Sequence, residues 1–318
     1  MKIAVLDGRG IAADDLSWRD LDALGSIEIH DRTAEEQVVD RAADAEIILT
    51  SKTPIRAAAL EMLPKLRYIG VLGTGYNVID VAAATERGVV VTNVPAYGTA
   101  SVAQFAIALL LELCHHVGLH ADAVRAGEWS RSADWSFWKT PQVELSGKTM
   151  GIVGFGRIGR ETAAIAHALG MRVVAADEHP HNAPEWPYFR WLPLEELLAE
   201  ADVVSLHSPL TPETTGLIDA KRLAVMKPGA WLINTSRGPL IVDADLAAAL
   251  NGGKLAGAAL DVLSLEPPPP GNPLVGARNC IVTPHMAWAT KEARARLIDA
   301  AVRNVAAFLR GTPENMVS

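Results

Sequence analysis

Cysteine is scarce in this chain, with only Cys114 and Cys280 among 318 residues. Two thiols cannot build a disulfide scaffold or a four-cysteine zinc site, and the count suits a reducing cytosol. Long hydrophobic runs are also missing. The longest strongly apolar stretch, Phe105 to Leu111, is far too short to span a bilayer. The opening Met1-Lys2-Ile3-Ala4-Val5-Leu6 stops at Asp7, short of a signal-peptide core. Basic residues are in deficit: 29 Lys and Arg stand against 37 Asp and Glu, a net charge of −8. Such a balance argues against broad binding to nucleic acid or to an anionic membrane. These absences describe a cytoplasmic chain with neither a nucleic-acid nor a membrane partner.

What the chain does have is core material. Hydrophobic residues make up 49% and charged residues 21%, which excludes a disordered polypeptide. The length suits about two domains of roughly 100–200 residues each. Short apolar runs alternate with amphipathic stretches through the first third, at Lys2–Leu6, Ile27–His30, Glu46–Thr50, Tyr68–Leu72 and Val89–Asn93. A second series follows at Thr149–Gly154, Arg172–Ala176, Val203–Leu206, Ala230–Asn234, Leu255–Leu260 and Cys280–Thr283. Apolar strands separated by helices predict parallel sheets covered on both faces, so the fold class is α/β, with two doubly wound, Rossmann-like domains.

Between the series lies a helical stretch, Ser101–Ala126, which Ser101-x-x-Gln104 would open as a capping box. Gly127–Gly147 follows as a long loop carrying Trp129, Trp135 and Trp138. These tryptophans fit either a core or an interface. Lys291–Arg310 has helical periodicity and ends at Gly311 and Pro313. The prolines after Glu266 demand an irregular loop.

Gly154-Phe155-Gly156-Arg157-Ile158-Gly159 matches a dinucleotide fingerprint. It follows a strand and opens a helix, and Asp177 closes the next strand about 20 residues further on, as the fingerprint asks. Gly154 permits the turn, Gly156 lets main chain approach a pyrophosphate, and Gly159 lets the helix pack on its strand. Asp177 would accept from the ribose hydroxyls and repel a 2′-phosphate, which points to NAD rather than NADP.

Three polar residues end apolar strands of the second series. Arg237 follows Leu232-Ile233-Asn234-Thr235-Ser236, Glu266 lies beyond Asp261-Val262-Leu263, and His285 follows Thr283-Pro284. Ligands of open α/β sheets sit at strand carboxyl ends. An arginine fork grips a carboxylate, a histidine exchanges a proton near neutral pH, and a neighbouring carboxylate orients the imidazole. Such a set suits oxidation of a 2-hydroxy acid, where the alcohol proton must leave as hydride goes to a nicotinamide.

Over nearly its full length the chain resembles the D-isomer-specific 2-hydroxyacid dehydrogenases. The resemblance rests on Gly73-Thr74-Gly75-Tyr76-Asn77, Gly154–Gly159, Asn234–Gly238, Asp261–Pro267 and Thr283-Pro284-His285. It implies substrate binding by Arg237, acid/base work by His285 and pairing of Glu266 with the histidine. Asp261 would face the nicotinamide carboxamide, and cofactor contacts would also come from His207, Ser208, Pro209, Thr214, Thr235 and Ser236. Gly73, Thr74, Gly75, Trp288 and Lys52 would meet the substrate, although Lys52 reads equally as a solvated lysine. The resemblance divides the chain into a flavodoxin-like substrate domain, 1–98 with 288–318, and an NAD-binding domain, 99–287, with the cleft between them. It also implies a homodimer.

Within the family, Pro95–Ser101 and His285–Thr290 are most similar to glycerate dehydrogenases, also called hydroxypyruvate reductases. D-lactate, or broad reduction of glyoxylate and other 2-keto acids, is the alternative. Some members of the fold are NAD-binding corepressors, but beyond Gly311–Ser318 there is little tail to recruit a partner. Cys114, His115, His116 and His120 suggest a metal site, yet no acidic cluster accompanies them, and surface histidines are the reading adopted.

Overall fold

The computed structural model describes residues 1–13 and 15–318, which divide into two units, Met1–Gly98 with Trp288–Ser318 and Thr99–Ala287. In the first unit, β1 (Lys2–Val5), β2 (Ser26–Ile29), β3 (Ile47–Thr50), β4 (Tyr68–Val71) and β5 (Val90–Thr92) form one sheet. Its order is β2-β1-β3-β4-β5 and every pair is parallel. β3 and β4 are buried along their whole length, which is why their sequences are continuously apolar rather than alternating.

One face of this sheet packs Leu6, Ile48 and Ile69 with Val38, Leu60 and Ala84. The other packs Ile3, Val5, Ile47 and Tyr68 with Leu297, Ile298, Ala301 and Val305 of the helix Lys291–Leu309. The last helix thus completes the first sheet. The tail then covers the β5 edge, with Asn93 N–H donating to Asn315 O at 3.1 Å and Val317 N–H to Val91 O at 2.9 Å.

The second unit holds β6 (Thr149–Val153), β7 (Arg172–Ala176), β8 (Arg190–Trp191), β9 (Val203–Leu206), β10 (Trp231–Asn234), β11 (Gly257–Leu260) and β12 (Cys280–Val282). The order is β12-β11-β10-β9-β6-β7-β8, again all parallel. β8 escapes a sequence reading because two residues carry no period. The helices Thr99–His115 and Arg157–Ala168 cover one face through Ala106, Leu110, Ala163 and Ala166. Leu197, Leu223, Leu246 and Leu250 from three further helices cover the other. Chain order reverses between β6 and β9, and crevices at such reversals are where doubly wound sheets bind ligands.

Two expectations are corrected here. Ser101 is not a helix cap. The helix already starts at Thr99, and Ser101, buried within it, donates from Oγ to Ala287 O at 2.6 Å. Nor is Ser101–Ala126 one helix. At His116 the backbone turns left-handed (φ 46°), and Thr99–His115 meets Val117–Arg125 at 57°. The residues around the break suit a helix on either side, so periodicity does not reveal it. Among the described residues no single helix is long and apolar enough to cross a membrane. Trp129, Trp135 and Trp138 are 51%, 89% and 69% exposed, which removes their reading as core aromatics.

Candidate active site

β6 delivers the glycine loop to the point where the sheet reverses. Gly154 takes φ 91°, and a Cβ there would lie 2.7 Å from the main chain of His207 and Ser208, so only glycine fits. A Cβ on Gly159 would come within 2.1 Å of Gly154 O, which is the close helix–strand approach the fingerprint needs. A Cβ on Gly156 would meet nothing, leaving the surface above it clear. Gly156 precedes the helix Arg157–Ala168 without a side-chain cap, so that helix presents its first-turn amides as an anion-binding end.

Asp177 follows β7 and is oriented by main chain. Phe155 N–H donates to its Oδ2 at 2.6 Å and His179 N–H to its Oδ1 at 3.0 Å. The Phe155 ring itself is buried against Phe189 and Trp191, so Phe155 offers a ligand only its backbone. Arg157 is exposed and Ile158 half-buried beside it.

β9 ends in His207. Its N–H donates to Val153 O at 2.7 Å, and its Nε2 is 2.9 Å from Ser205 Oγ. Burial drives the imidazole pKa down to about 4, which keeps the ring neutral. Ser208 donates to Val153 O at 3.2 Å, and Thr214 donates to the exposed Pro209 at 2.8 Å. Thr235 Oγ1, directly after β10, is buried with no hydrogen-bond partner among the described residues. An orphaned hydroxyl is costly to leave unsatisfied. Together with the clear surface over Gly156 and the oriented Asp177, it makes these residues a fit for a bound dinucleotide.

The three strand-end residues emerge from neighbouring strands, β10, β11 and β12. Arg237 is half-buried, with Nη1 donating to Ser236 O at 2.7 Å. Buried Asn234 shapes this turn, donating to Arg237 O at 2.8 Å and accepting from Ser236 N–H at 3.0 Å. Ser236 Oγ donates to Leu206 O at 2.9 Å. A Cβ on Gly238 would sit 1.9 Å from Leu263 C, so the Arg237 turn lies directly on the loop carrying Glu266.

Glu266 Oε1 accepts Leu263 N–H at 3.1 Å, and Oε2 lies 2.6 Å from His285 Nδ1. His285 adopts φ 51°, an uncommon conformation for a residue with a Cβ. Its N–H reaches both Asp261 O at 2.9 Å and Thr283 O at 3.0 Å. Asp261 is 1% exposed, with Oδ1 accepting from Thr283 Oγ1 at 2.7 Å and Met286 N–H at 2.9 Å, and Oδ2 from Ala287 N–H at 2.8 Å. Its carboxylate is therefore turned to the histidine loop.

In the first unit the sheet order reverses between β1 and β3. There Asp7 Oδ1 accepts Ser51 N–H at 2.8 Å, while Oδ2 accepts Lys52 N–H at 2.6 Å and Thr53 N–H at 3.0 Å. Lys52 thus belongs to a loop wrapped around one carboxylate. Thr74 Oγ1 donates to Val94 O at 3.1 Å and Thr74 O accepts from Asn93 Nδ2 at 2.8 Å, fixing the turn that Gly73 and Gly75 flank. The Trp288 ring meets Tyr97 edge-on at 6.4 Å. The sequence reading gives Asp7, Asn234 and Ser205 no role at the site. For Asp7 only the position is legible, directly after the first apolar strand, and not the amides it binds.

Burial pushes the Cys114 thiol up to about 11 and that of Cys280 to about 12, so both are inert at neutral pH. His120 bonds His116 O at 2.8 Å and accepts Lys139 N–H at 2.9 Å. Among the described residues no group of three His, Cys, Asp or Glu could hold a metal ion.

Fold and fingerprint together define a dinucleotide-binding α/β protein. Residues 107–287 match the model of the D-isomer specific 2-hydroxyacid dehydrogenase NAD binding domain, and the chain belongs to that dehydrogenase family. It is 53% identical over 321 residues to a hydroxypyruvate reductase of Blautia hydrogenotrophica, covering 100% of both chains. It is 42% identical to a glycerate dehydrogenase of Methylorubrum extorquens, over 89% of this chain and 88% of that one. The crystal structure of D-lactate dehydrogenase from Aquifex aeolicus complexed with NAD and lactic acid superposes with a TM-score of 0.85 at 29% identity, over 100% of this chain and 99% of that one. The cofactor is NAD, and the protein is a D-2-hydroxyacid dehydrogenase.

Proposed function

We propose that the protein interconverts D-glycerate and hydroxypyruvate. The observation that carries the chemistry is the 2.6 Å contact between His285 Nδ1 and Glu266, beside the turn that presents Arg237. The full-length similarity to a hydroxypyruvate reductase supports the choice of substrate. Arg237 grips the substrate carboxylate with its two-pronged guanidinium. Glu266 holds Nδ1, so Nε2 of His285 exchanges the proton of the C2 oxygen, giving it in reduction and taking it in oxidation. When bound, NAD supplies the redox chemistry by taking or returning the hydride of C2. Asp177 holds the adenosine ribose, and the amides after Gly156 receive the pyrophosphate. The same proposal assigns 99–287 as the NAD-binding domain, and 1–98 with 288–318 as the substrate domain. Lys52, Gly73, Thr74, Gly75 and Trp288 are assigned to the substrate.

One assay panel tests this. Hydroxypyruvate, glyoxylate, pyruvate and phosphohydroxypyruvate are each compared at fixed NADH, then at fixed NADPH. Hydroxypyruvate with NADH is expected to give the highest kcat/KM. A higher value for glyoxylate or pyruvate would overturn the substrate.

We infer also that the enzyme is a cytoplasmic homodimer. Exposed Val117, Leu119 and Val124 precede exposed Trp129, Trp135 and Trp138 within one continuous segment of chain. Apolar surface concentrated in this way marks an association face, and the family resemblance points to a second copy as its occupant. Sedimentation at micromolar concentration should give a species of two chains; a species of one chain only would refute it.

A further inference from the structure

Arg160 stands on the first turn of the helix that follows the glycine loop, its N–H bonded to Gly156 O at 2.9 Å. Its guanidinium does not face solvent alone. Nη1 donates to Asn182 O at 2.6 Å and Nη2 to His181 O at 2.5 Å. The same group lies over the buried Phe155 ring, with Cζ 4.7 Å from the centroid. Asn182 is left-handed (φ 47°), and His181 Nδ1 folds back on His179 O at 2.7 Å.

These contacts close a circuit. Asp177 is bonded at one oxygen to the amide of Phe155, whose ring Arg160 covers, and at the other to the amide of His179. The loop from Glu178 to Asn182 is thereby fastened at its far end by Arg160 and at its near end by Asp177. A guanidinium over an aromatic face that also donates two charge-assisted bonds is a stiff fastening. Glu178 and His179 are the residues that would stand nearest a 2′-phosphate if Asp177 holds the ribose.

We propose that Arg160 is a positioning residue that sets the preference for NADH over NADPH. It locks the 178–182 loop so that Asp177 is held ready for the ribose hydroxyls. Its own charge is spent on two main-chain carbonyls instead of being offered to a phosphate. The inference rests on the assignment of Asp177 to the ribose.

Two measurements on the full chain test it. The first is amide hydrogen exchange at Phe155 and His179 in the cofactor-free protein. The second is the Kd of NADH and of NADPH by energy transfer from tryptophan to nicotinamide. Arg160→Ala is expected to speed exchange at both amides and to raise the NADH Kd by about tenfold, with the NADPH Kd changed less than about twofold. Arg160→Lys, which keeps a donor for one carbonyl, should regain part of the NADH affinity. If Arg160→Ala does not fold, Arg160→Met, which keeps the length and the cover over Phe155 but has no donor, carries the same readings. An NADH Kd within about twofold of wild type, or parallel losses for both cofactors, overturns the proposal. Asp177→Ala separates the two failures. If that variant binds NADH as wild type does, the ribose assignment is wrong. If it weakens NADH while Arg160→Ala does not, the role of Arg160 alone is wrong.

Discussion

Asp261 and Ala287 are joined by a 2.8 Å hydrogen bond from the Ala287 amide to a carboxylate that solvent hardly reaches. With the bonds from Thr283 Oγ1 and Met286 N–H, this contact bends the chain around His285. Asn in place of Asp261 keeps the size but offers one accepting oxygen where three donors converge. Asp261→Asn should therefore destabilise the protein by about 1–3 kcal/mol, the cost of unsatisfied buried donors. It should also lower kcat more than it raises KM for the keto acid, because the ring is displaced while the arginine is not. Urea unfolding and steady-state kinetics on one preparation decide it. Unchanged stability and unchanged kcat would mean the loop holds His285 without Asp261.

Glu266 is itself fixed, through the Leu263 amide, before it meets His285. Glu266→Gln preserves that acceptor but removes the carboxylate that faces His285 Nδ1. The expected result is a loss of at least about tenfold in kcat/KM for hydroxypyruvate at pH 7, with NADH affinity unchanged. A variant within about twofold of wild type would reduce Glu266 to a loop acid.

Arg237→Lys keeps the positive charge and loses the fork. The kcat/KM for the keto acid should fall by about two orders of magnitude, mainly through a higher KM, with little recovery over Arg237→Ala. Near-normal efficiency in the lysine variant is the outcome that excludes a carboxylate clamp here.

His207 makes the stability pH-dependent. Burial lowers its pKa from 6.5 to about 4 in the folded chain. Between these values the unfolded chain binds a proton that the folded chain refuses. The folded state is therefore at full strength above pH 6.5 and loses stability as pH falls toward 4, by on the order of 3 kcal/mol from this residue. His207→Asn removes the titration. Its midpoint temperature should fall less steeply than that of wild type between pH 6.5 and 4. Equal slopes for the two proteins would sink this account.

Much of this protein is decided by local pattern. β3 and β4 are legible because strands buried on both faces must be apolar throughout. The glycine fingerprint is legible because backbone geometry and close approach admit no side chain at Gly154 and Gly159. Arg237, Glu266 and His285 could be picked out one by one, since each follows an apolar strand. Their grouping could not be read from spacing. It depends on β10, β11 and β12 lying side by side, which strand pairing determines. The break at His116, the burial of Ser101, the Asp7 carboxylate gathering three successive amides and the fastening of residues 181–182 by Arg160 lie beyond any local pattern. The physical reason is common to all four. A polar side chain or a break in a helix is stable only when distant main-chain groups satisfy it, and the fold alone brings those groups within hydrogen-bond reach.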